Sequence, residues 1–226
     1  MTNRKINVGI IGTGWIGEIR AKVCASHPLV ESVHIAEIDP AKLARVGEET
    51  RAATATTDYH DLLRRDDIDA IFVCSTPETT HYPITKDCLL ARKHTLLEKP
   101  MGLALKEADE MMSLAKKAGL KLTIGYTQRF NPKYAYVKQC LVNGTLGRPV
   151  TAMVSRNVSR SIGNKIGGRI RLSPAVMEAT HDLDFILWCL EGTKPVRVYS
   201  EVVYRIMEKT HGVPDCQWIM VTMDDG

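Results

Sequence analysis

Three glycines directly follow a mostly apolar run near the start of the chain, and this pattern restricts the fold more than any other feature. Residues 6–11 read Ile-Asn-Val-Gly-Ile-Ile, and Gly12, Gly14 and Gly17 come next in Gly-Thr-Gly-Trp-Ile-Gly. The apolar run is typical of a buried strand, and residues 15–26 have a helical pattern. We predict a strand, a tight turn at Gly12, and a helix that packs closely on the strand at Gly17.

The first half of the chain repeats this strand and helix unit. Strand-like runs cover residues 6–11, 32–37, about 54, 69–75, 94–97 and 121–125, with helical patterns between them. Two of the helices have start signals, because Asp39-Pro40 and Asp58 are favourable first residues. Strands with continuous apolar character indicate a parallel sheet covered on both faces. We therefore predict a doubly wound α/β domain of the Rossmann type over residues 1–126.

The glycine turn in this context predicts a dinucleotide site. A glycine at position 14 lets the backbone approach a pyrophosphate, and the start of the following helix offers unpaired N–H groups and the positive end of its dipole. The alternative is a glycine turn kept only for packing. We expect the cofactor to contact Gly12, Thr13, Gly14, Trp15 and Ile16.

An acid at the end of the second strand bears on which cofactor binds. Glu37 lies twenty residues after Gly17, and an acid there can accept hydrogen bonds from the adenosine ribose hydroxyls. Its charge would repel a 2′-phosphate, which favours NAD, although Asp39 can share the role and NADP remains an alternative.

The pattern changes after about residue 126. A helix is predicted over residues 133–142, an alternating strand over 150–158, a helix over 174–190 and strands over 196–204 and 217–223. We expect residues 127–226 to form an α+β domain on a largely antiparallel open sheet, for substrate binding and oligomer contacts. Asp224-Asp225-Gly226 is a hairpin signal with no return strand, so we expect this sheet to be truncated.

Composition excludes several classes of protein. The formal net charge is only +4 and the basic residues are spread out, which argues against a nucleic-acid surface. No apolar stretch has membrane-spanning length, and the first strand begins too early to leave room for a signal peptide. The six cysteines show neither disulfide nor metal-site spacing, so we expect no metal and a cytoplasmic protein.

Lys99 lies in Glu98-Lys99-Pro100, directly after the predicted fifth strand. This places it at the carboxyl edge of the sheet, where open α/β sheets bind their ligands. A lysine that is partly desolvated near a nicotinamide would have a lowered pKa and can transfer a proton or polarise a carbonyl. The alternative is a solvated lysine in a turn.

A polar stripe on the later helix is the second candidate. Glu178, His181 and Asp184 are spaced three apart, so they share one helix face. Histidine is the natural acid or base near neutral pH, and a neighbouring carboxylate can fix its tautomer. The alternative is an exposed helix with ordinary charge pairs.

Together these segments resemble one known family. The resemblance rests on Gly9-x-x-Gly12-x-Gly14-x-x-Gly17, Ser75-Thr76-Pro77 with His81, Glu98-Lys99-Pro100 and His181-x-x-Asp184, which are similar to the glucose–fructose oxidoreductase and inositol dehydrogenase (Gfo/Idh/MocA) family. The family implies an NAD(P)-dependent dehydrogenase of a secondary alcohol in a sugar, inositol or related polyol. It implies an active site between two domains, and a homodimer or homotetramer formed through the C-terminal sheet.

The resemblance also assigns roles to residues. It implies that Lys99 and His181 are the catalytic pair, with Glu178 and Asp184 beside them. The cofactor would also contact Ser75, Thr76, Pro77, His81, Glu98, Lys99 and Arg129. Cis peptides are rare, and the bond before Pro100 is a candidate. The family commonly has an aspartate where this chain has Met177, so we expect either that Glu178 replaces it or that the substrate differs.

Two other functions are alternatives for a chain with this fold. A regulatory protein that senses NAD or a sugar would need neither Lys99 nor His181. A reductase of a non-sugar substrate would not need His181-x-x-Asp184. The presence of all three residues favours the polyol dehydrogenase.

Overall fold

The computed structural model describes residues 4–159, 161 and 171–225. The chain divides into two compact units, Met1–Gly125 and Tyr126–Gly226. All six cysteines are free thiols. In the described ranges, every helix falls short of the length and apolar composition that a membrane crossing requires.

The first unit is built on a six-stranded parallel sheet. Its strands are β1 (Ile6–Ile11), β2 (Val30–Ala36), β3 (Thr54–Thr56), β4 (Ala70–Val73), β5 (His94–Leu97) and β6 (Leu122–Ile124). They lie in the order β3-β2-β1-β4-β5-β6, and every neighbouring pair is parallel. The predicted doubly wound sheet is confirmed, and its order reverses between β1 and β4, which is where such sheets bind ligands.

Five helices connect these strands: α1 (Trp15–Ser26), α2 (Pro40–Thr50), α3 (Tyr59–Leu63), α4 (His81–Leu90) and α5 (Leu105–Ala118). The predicted start signals are confirmed. The Asp39 carboxylate accepts hydrogen bonds from the first N–H groups of α2, and Asp58 accepts one from His60 N at the start of α3. These caps satisfy N–H groups that have no partner inside the helix.

Helices cover both faces of the sheet, and each face has its own core. On one face Ile10 and Ile35 pack with Val46 of α2. On the other, Ile71 and Leu97 pack with residues of α4 and α5. Because both faces are buried, only the strand ends remain open for a ligand.

The second unit contains helices and a two-stranded sheet. Its elements are α6 (Pro132–Val142), a π-helical turn (Ala175–Ala179), α7 (Thr180–Cys189), β7 (Pro195–Val203), α8 (Met207–His211) and β8 (Cys216–Met223). β7 and β8 pair antiparallel, from Pro195–Met223 to Val203–Cys216. The predicted antiparallel sheet is therefore confirmed.

The predicted strand over residues 150–158 was wrong. Residues 151–159 have no regular structure, and the Val150 and Met153 side chains are 92% and 94% exposed. Alternating polarity produces a strand only where a neighbouring strand supplies hydrogen bonds. Among the described residues, the second sheet consists of β7 and β8 alone.

Candidate active site

The glycine turn lies where β1 ends and α1 begins. Gly12 has φ +85, and a Cβ there would lie 2.7 Å from the Ser75 Cα. A Cβ at Gly17 would fall onto the Gly12 carbonyl, so both positions require glycine. A Cβ at Gly14 would meet no described atom within 4 Å, which leaves open space beside the start of α1. The turn therefore has the shape that the sequence predicted.

The start of α1 is available to an anion. Gly14 is the N-cap residue, and glycine has no side chain to accept hydrogen bonds from the first N–H groups of the helix. Trp15 and Ile16, the first two helical residues, are 76% and 38% exposed. Unpaired N–H groups at the positive end of a helix dipole are a suitable site for phosphate.

Glu37 follows β2 and is already engaged by the glycine turn. Its Oε2 accepts hydrogen bonds from Thr13 N at 2.6 Å and from the Thr13 hydroxyl at 2.9 Å, and its Oε1 accepts one from Asp39 N at 3.0 Å. The residue is only 7% exposed. A carboxylate has about four lone-pair sites, so one remains for a ribose hydroxyl.

The other predicted cofactor residues of this unit follow β4 and β5. Backbone hydrogen bonds continue past the strands: Cys74 N donates to Ile11 O at 2.8 Å, and Glu98 N donates to Val73 O at 2.9 Å. The segments after these bonds hold Ser75, Thr76, Pro77, Glu98 and the half-buried Lys99. Because the sheet is parallel, they lie at the same edge as Gly12 and Glu37.

His81 is placed differently from the rest of this set. It is 2% exposed, its Nδ1 lies 2.7 Å from the Pro100 carbonyl oxygen, and its Nε2 lies 3.1 Å from the Ser75 carbonyl oxygen. Both ring nitrogens therefore face the backbone of the protein. The peptides Thr76–Pro77 and Lys99–Pro100 are both cis, the second as predicted.

In the second unit, the predicted stripe lies on the π-helical turn and α7. Glu178 belongs to the turn, while His181 and Asp184 belong to α7. The His181 ring stands edge-on to Tyr126, with 6.4 Å between ring centroids and 84° between the ring planes. Met177 is buried at 3% exposure, so an acid at that position would lie in the interior of this unit.

Two arginines hold the acids around His181. Arg129 donates from Nε and Nη2 to the two oxygens of Asp184 at 2.8 and 2.7 Å, and this carboxylate raises the pKa of Arg129 above its usual value. Arg156 donates in the same way, from Nε and Nη2, to the two oxygens of Asp182, and this carboxylate raises the pKa of Arg156. The Arg156 Nη1 also lies 3.9 Å from a carboxylate oxygen of Glu178. Asp184 is thus bound to Arg129 in this structure.

Sequence reasoning missed Arg20 and Asp182. Arg20 lies on α1 beside the buried stripe of Gly17, Ala21 and Cys24, and it forms an ion pair with Glu98. A charged residue next to a buried face needs a partner, and that signal was available in the sequence. Asp182 is 7% exposed, but spacing alone does not predict its pairing with Arg156.

The first unit has the features of a dinucleotide-binding α/β unit. It has a parallel sheet, a glycine turn at the point where the strand order reverses, and an acid after β2. The chain belongs to the oxidoreductase family with an NAD-binding Rossmann fold (GFO_IDH_MocA), whose model matches residues 6–126. The open space at Gly14, the uncapped start of α1 and the remaining lone pair of Glu37 fit NAD.

Three comparisons with known proteins agree with this family. An uncharacterised oxidoreductase, YrbE, from Bacillus subtilis is 34% identical over 65% of this chain and 42% of its own length. The myo-inositol 2-dehydrogenase of Thermotoga maritima is 32% identical over 87% of this chain and 58% of its own length. The solved myo-inositol 2-dehydrogenase of Lactobacillus plantarum is 25% identical with a TM-score of 0.84, covering 99% of this chain and 68% of that one. The chain thus spans less than two thirds of either curated relative.

Proposed function

We propose that this chain belongs to an NAD-dependent dehydrogenase that oxidises a secondary alcohol of an inositol or related polyol. The observation that carries the proposal is the position of Lys99, which follows β5 at the sheet edge that also holds the glycine turn and Glu37. The inositol dehydrogenases among its relatives support the substrate class.

The proposed roles follow from the chemistry of the side chains. When bound, NAD accepts a hydride from the carbinol carbon. His181 removes the hydroxyl proton as general base, and the Lys99 ammonium donates a hydrogen bond to the oxygen and stabilises its developing negative charge. The reverse assignment is the alternative, with Lys99 as the general base and His181 as the hydrogen-bond donor. Glu178 and Asp184 contribute negative charge around the histidine, with Arg129 and Arg156 limiting how far either acid can move.

The test is a turnover assay that follows the absorbance of reduced nicotinamide. Inositols, neutral sugars and sugar acids would each be offered with NAD and with NADP. Lys99→Met and His181→Asn are expected to lower kcat by about 10²-fold or more, while the Kd for NAD stays within about twofold. Lys121→Met, which removes an exposed lysine before β6, is the matched control.

Two outcomes would contradict the proposal. One is near-normal turnover in Lys99→Met or His181→Asn. The other is tight NAD binding without turnover of any alcohol in the panel, which would favour a sensing role.

We also propose that a second copy of this chain covers one face of the second sheet. In the β7–β8 register, Tyr199 pairs with Met220 and Glu201 with Trp218, so these side chains share a face. Tyr199, Trp218 and Met220 are 61%, 69% and 66% exposed. Large exposed apolar side chains clustered on one sheet face are typical of a protein interface.

A further inference from the structure

Lys99 lies between Glu98 and Pro100, and each of these neighbours is contacted by a side chain from a helix. On the amino side is Glu98, whose Oε1 accepts hydrogen bonds from Nε of Arg20 at 2.6 Å and from Nη2 of the same side chain. The Arg20 and Glu98 side chains are only 17% and 13% exposed, so water competes little for either charge. A Cβ at Gly125 would lie 2.8 Å from Glu98 Oε2 and 2.9 Å from Arg20 Nη2, so this ion pair needs the glycine.

On the carboxyl side, the Pro100 carbonyl oxygen lies 2.7 Å from Nδ1 of His81, within hydrogen-bonding distance. The same ring approaches the Ser75 carbonyl through Nε2 at 3.1 Å. Both partners are carbonyl oxygens, which only accept, so each contact is a hydrogen bond when the ring nitrogen that faces it carries the proton. One buried ring therefore contacts the backbone of both the segment after β4 and the segment after β5.

We infer that Arg20 and His81 are positioning residues for Lys99. The inference rests on the proposed role of Lys99. Its long side chain is flexible, so where the ammonium can reach depends on how firmly its peptide is held. Arg20 belongs to the helix that starts at the glycine turn, and His81 belongs to the helix that follows the Ser75 segment. Both cofactor segments are thereby linked to Lys99.

A purely structural role is the alternative, and the chain offers a matched control for it. Lys93 is 6% exposed, and its Nζ donates to the carbonyl oxygens of Arg65 at 2.5 Å and Ile68 at 2.9 Å. It is also a buried polar side chain that holds two backbone carbonyls, but it lies before β5, at the opposite edge of the sheet. Lys93→Met should lower stability without reaching Lys99.

His81→Asn and His81→Gln separate the two contacts of the ring. The asparagine amide nitrogen occupies roughly the place of Nδ1 and can donate to Pro100, whereas the glutamine nitrogen occupies that of Nε2 and can donate only to Ser75. If His81 positions Lys99 through Pro100, the glutamine variant should have the lower kcat by about tenfold or more, with similar melting temperatures. Equal kcat values in the two variants would overturn this part of the inference.

A spectroscopic measurement tests both residues without turnover. Lysines of the purified chain would be reductively methylated with ¹³C-formaldehyde, and the Lys99 signal would be assigned from its absence in Lys99→Arg. We expect that signal to shift and broaden in Arg20→Met and His81→Gln, and less in Arg20→Lys, which keeps the charge but loses the fork. It should stay unchanged in Lys93→Met.

The outcomes distinguish the inference from the proposed function. A Lys99 signal unchanged in Arg20→Met and His81→Gln, with melting temperatures as low as in Lys93→Met, would show that both residues only stabilise the sheet. Wild-type inactivity on every alcohol would remove the proposed reaction, and the methyl signals would still decide whether Lys99 is positioned this way.

Discussion

The Glu37 carboxylate accepts two hydrogen bonds from Thr13, one from the Thr13 backbone N–H at 2.6 Å and one from the Thr13 hydroxyl at 2.9 Å. This ties the residue after β2 to the glycine turn after β1. Hydrogen bonds to an ionised carboxylate are stronger than neutral ones, and burial strengthens them further. Glu37 therefore fixes the turn and also places a negative charge at the expected ribose site.

This arrangement predicts a preference for NAD that depends on charge. We expect the wild-type chain to bind NAD at least about tenfold more tightly than NADP, because a 2′-phosphate would approach the Glu37 carboxylate, a group of like charge. Glu37→Gln should reduce that ratio, since it removes the charge, and should also weaken NAD binding, since the amide NH₂ cannot accept the bonds from Thr13. Titration calorimetry with both cofactors measures the two effects.

Glu31→Gln is the control for this measurement. Glu31 lies near the amino end of β2, the strand that Glu37 follows, and its side chain is 63% exposed beside Lys5. Its replacement should change neither affinity. An unchanged NAD to NADP ratio in Glu37→Gln would mean that another group sets the preference.

Much of the first unit could be predicted because the signals are local. The glycine turn, the caps at Asp39 and Asp58 and the apolar strands each depend on residues close in sequence. The strand predicted over 150–158 failed because strand formation depends on a partner that sequence alternation does not reveal.

The pairing of charges could not be predicted for a related reason. Arg129 and Asp184 are 55 positions apart, and Arg20 and Glu98 are 78 apart. Such pairs depend on how the elements pack. His81 shows the same limit, because a motif residue expected near the cofactor is buried with both nitrogens against backbone carbonyls.

The two arginine forks beside His181 should differ in their contribution to stability. The Arg156–Asp182 pair is more enclosed than the Arg129–Asp184 pair, since both aspartate side chains are 10% exposed but the Arg156 side chain is 26% exposed and that of Arg129 is 42% exposed. Removing one partner of an enclosed pair leaves an uncompensated charge. We expect Asp182→Asn to lower the free energy of unfolding of the second unit by about 2 kcal/mol, and Asp184→Asn by about 1 kcal/mol or less.

Tryptophan fluorescence during urea unfolding measures this difference. The chain has three tryptophans, at positions 15, 188 and 218, so a Trp15→Phe background restricts the signal to the second unit. Equal losses in the two variants, or a larger loss in Asp184→Asn, would contradict the prediction.

A surface network on α1 and α2 predicts a dependence of stability on pH. Arg45 Nη2 lies 2.6 Å from Glu18 Oε2 and Lys22 Nζ lies 2.8 Å from Oε1, and these cations lower the pKa of Glu18 to about 2. A carboxyl whose pKa is lower in the folded state stabilises the fold above its unfolded pKa. That contribution is lost as the pH falls from about 4.5 to about 2.

The Glu18→Gln variant tests this sign. Its urea midpoint should be below that of the wild type at neutral pH, and the difference should shrink as the pH falls toward 2. About 1 M salt should also reduce the difference, because exposed charges are screened. A constant gap over this range would exclude the Glu18 carboxylate as its source.

The exposed face of the second sheet gives the final prediction. If a second copy covers Tyr199, Trp218 and Met220, then Trp218→Glu places a charge at the centre of an apolar contact and should shift the chain toward the monomer. Sedimentation velocity over a range of concentrations measures the shift. Val142→Glu is the control, because Val142 ends α6, outside β7 and β8, and is 74% exposed. If the interface exists, Trp218→Glu should weaken association more than Val142→Glu does. A general effect of added negative charge would weaken association equally in both variants. A wild-type chain that stays monomeric at every concentration would show that this sheet face does not join two copies of the chain.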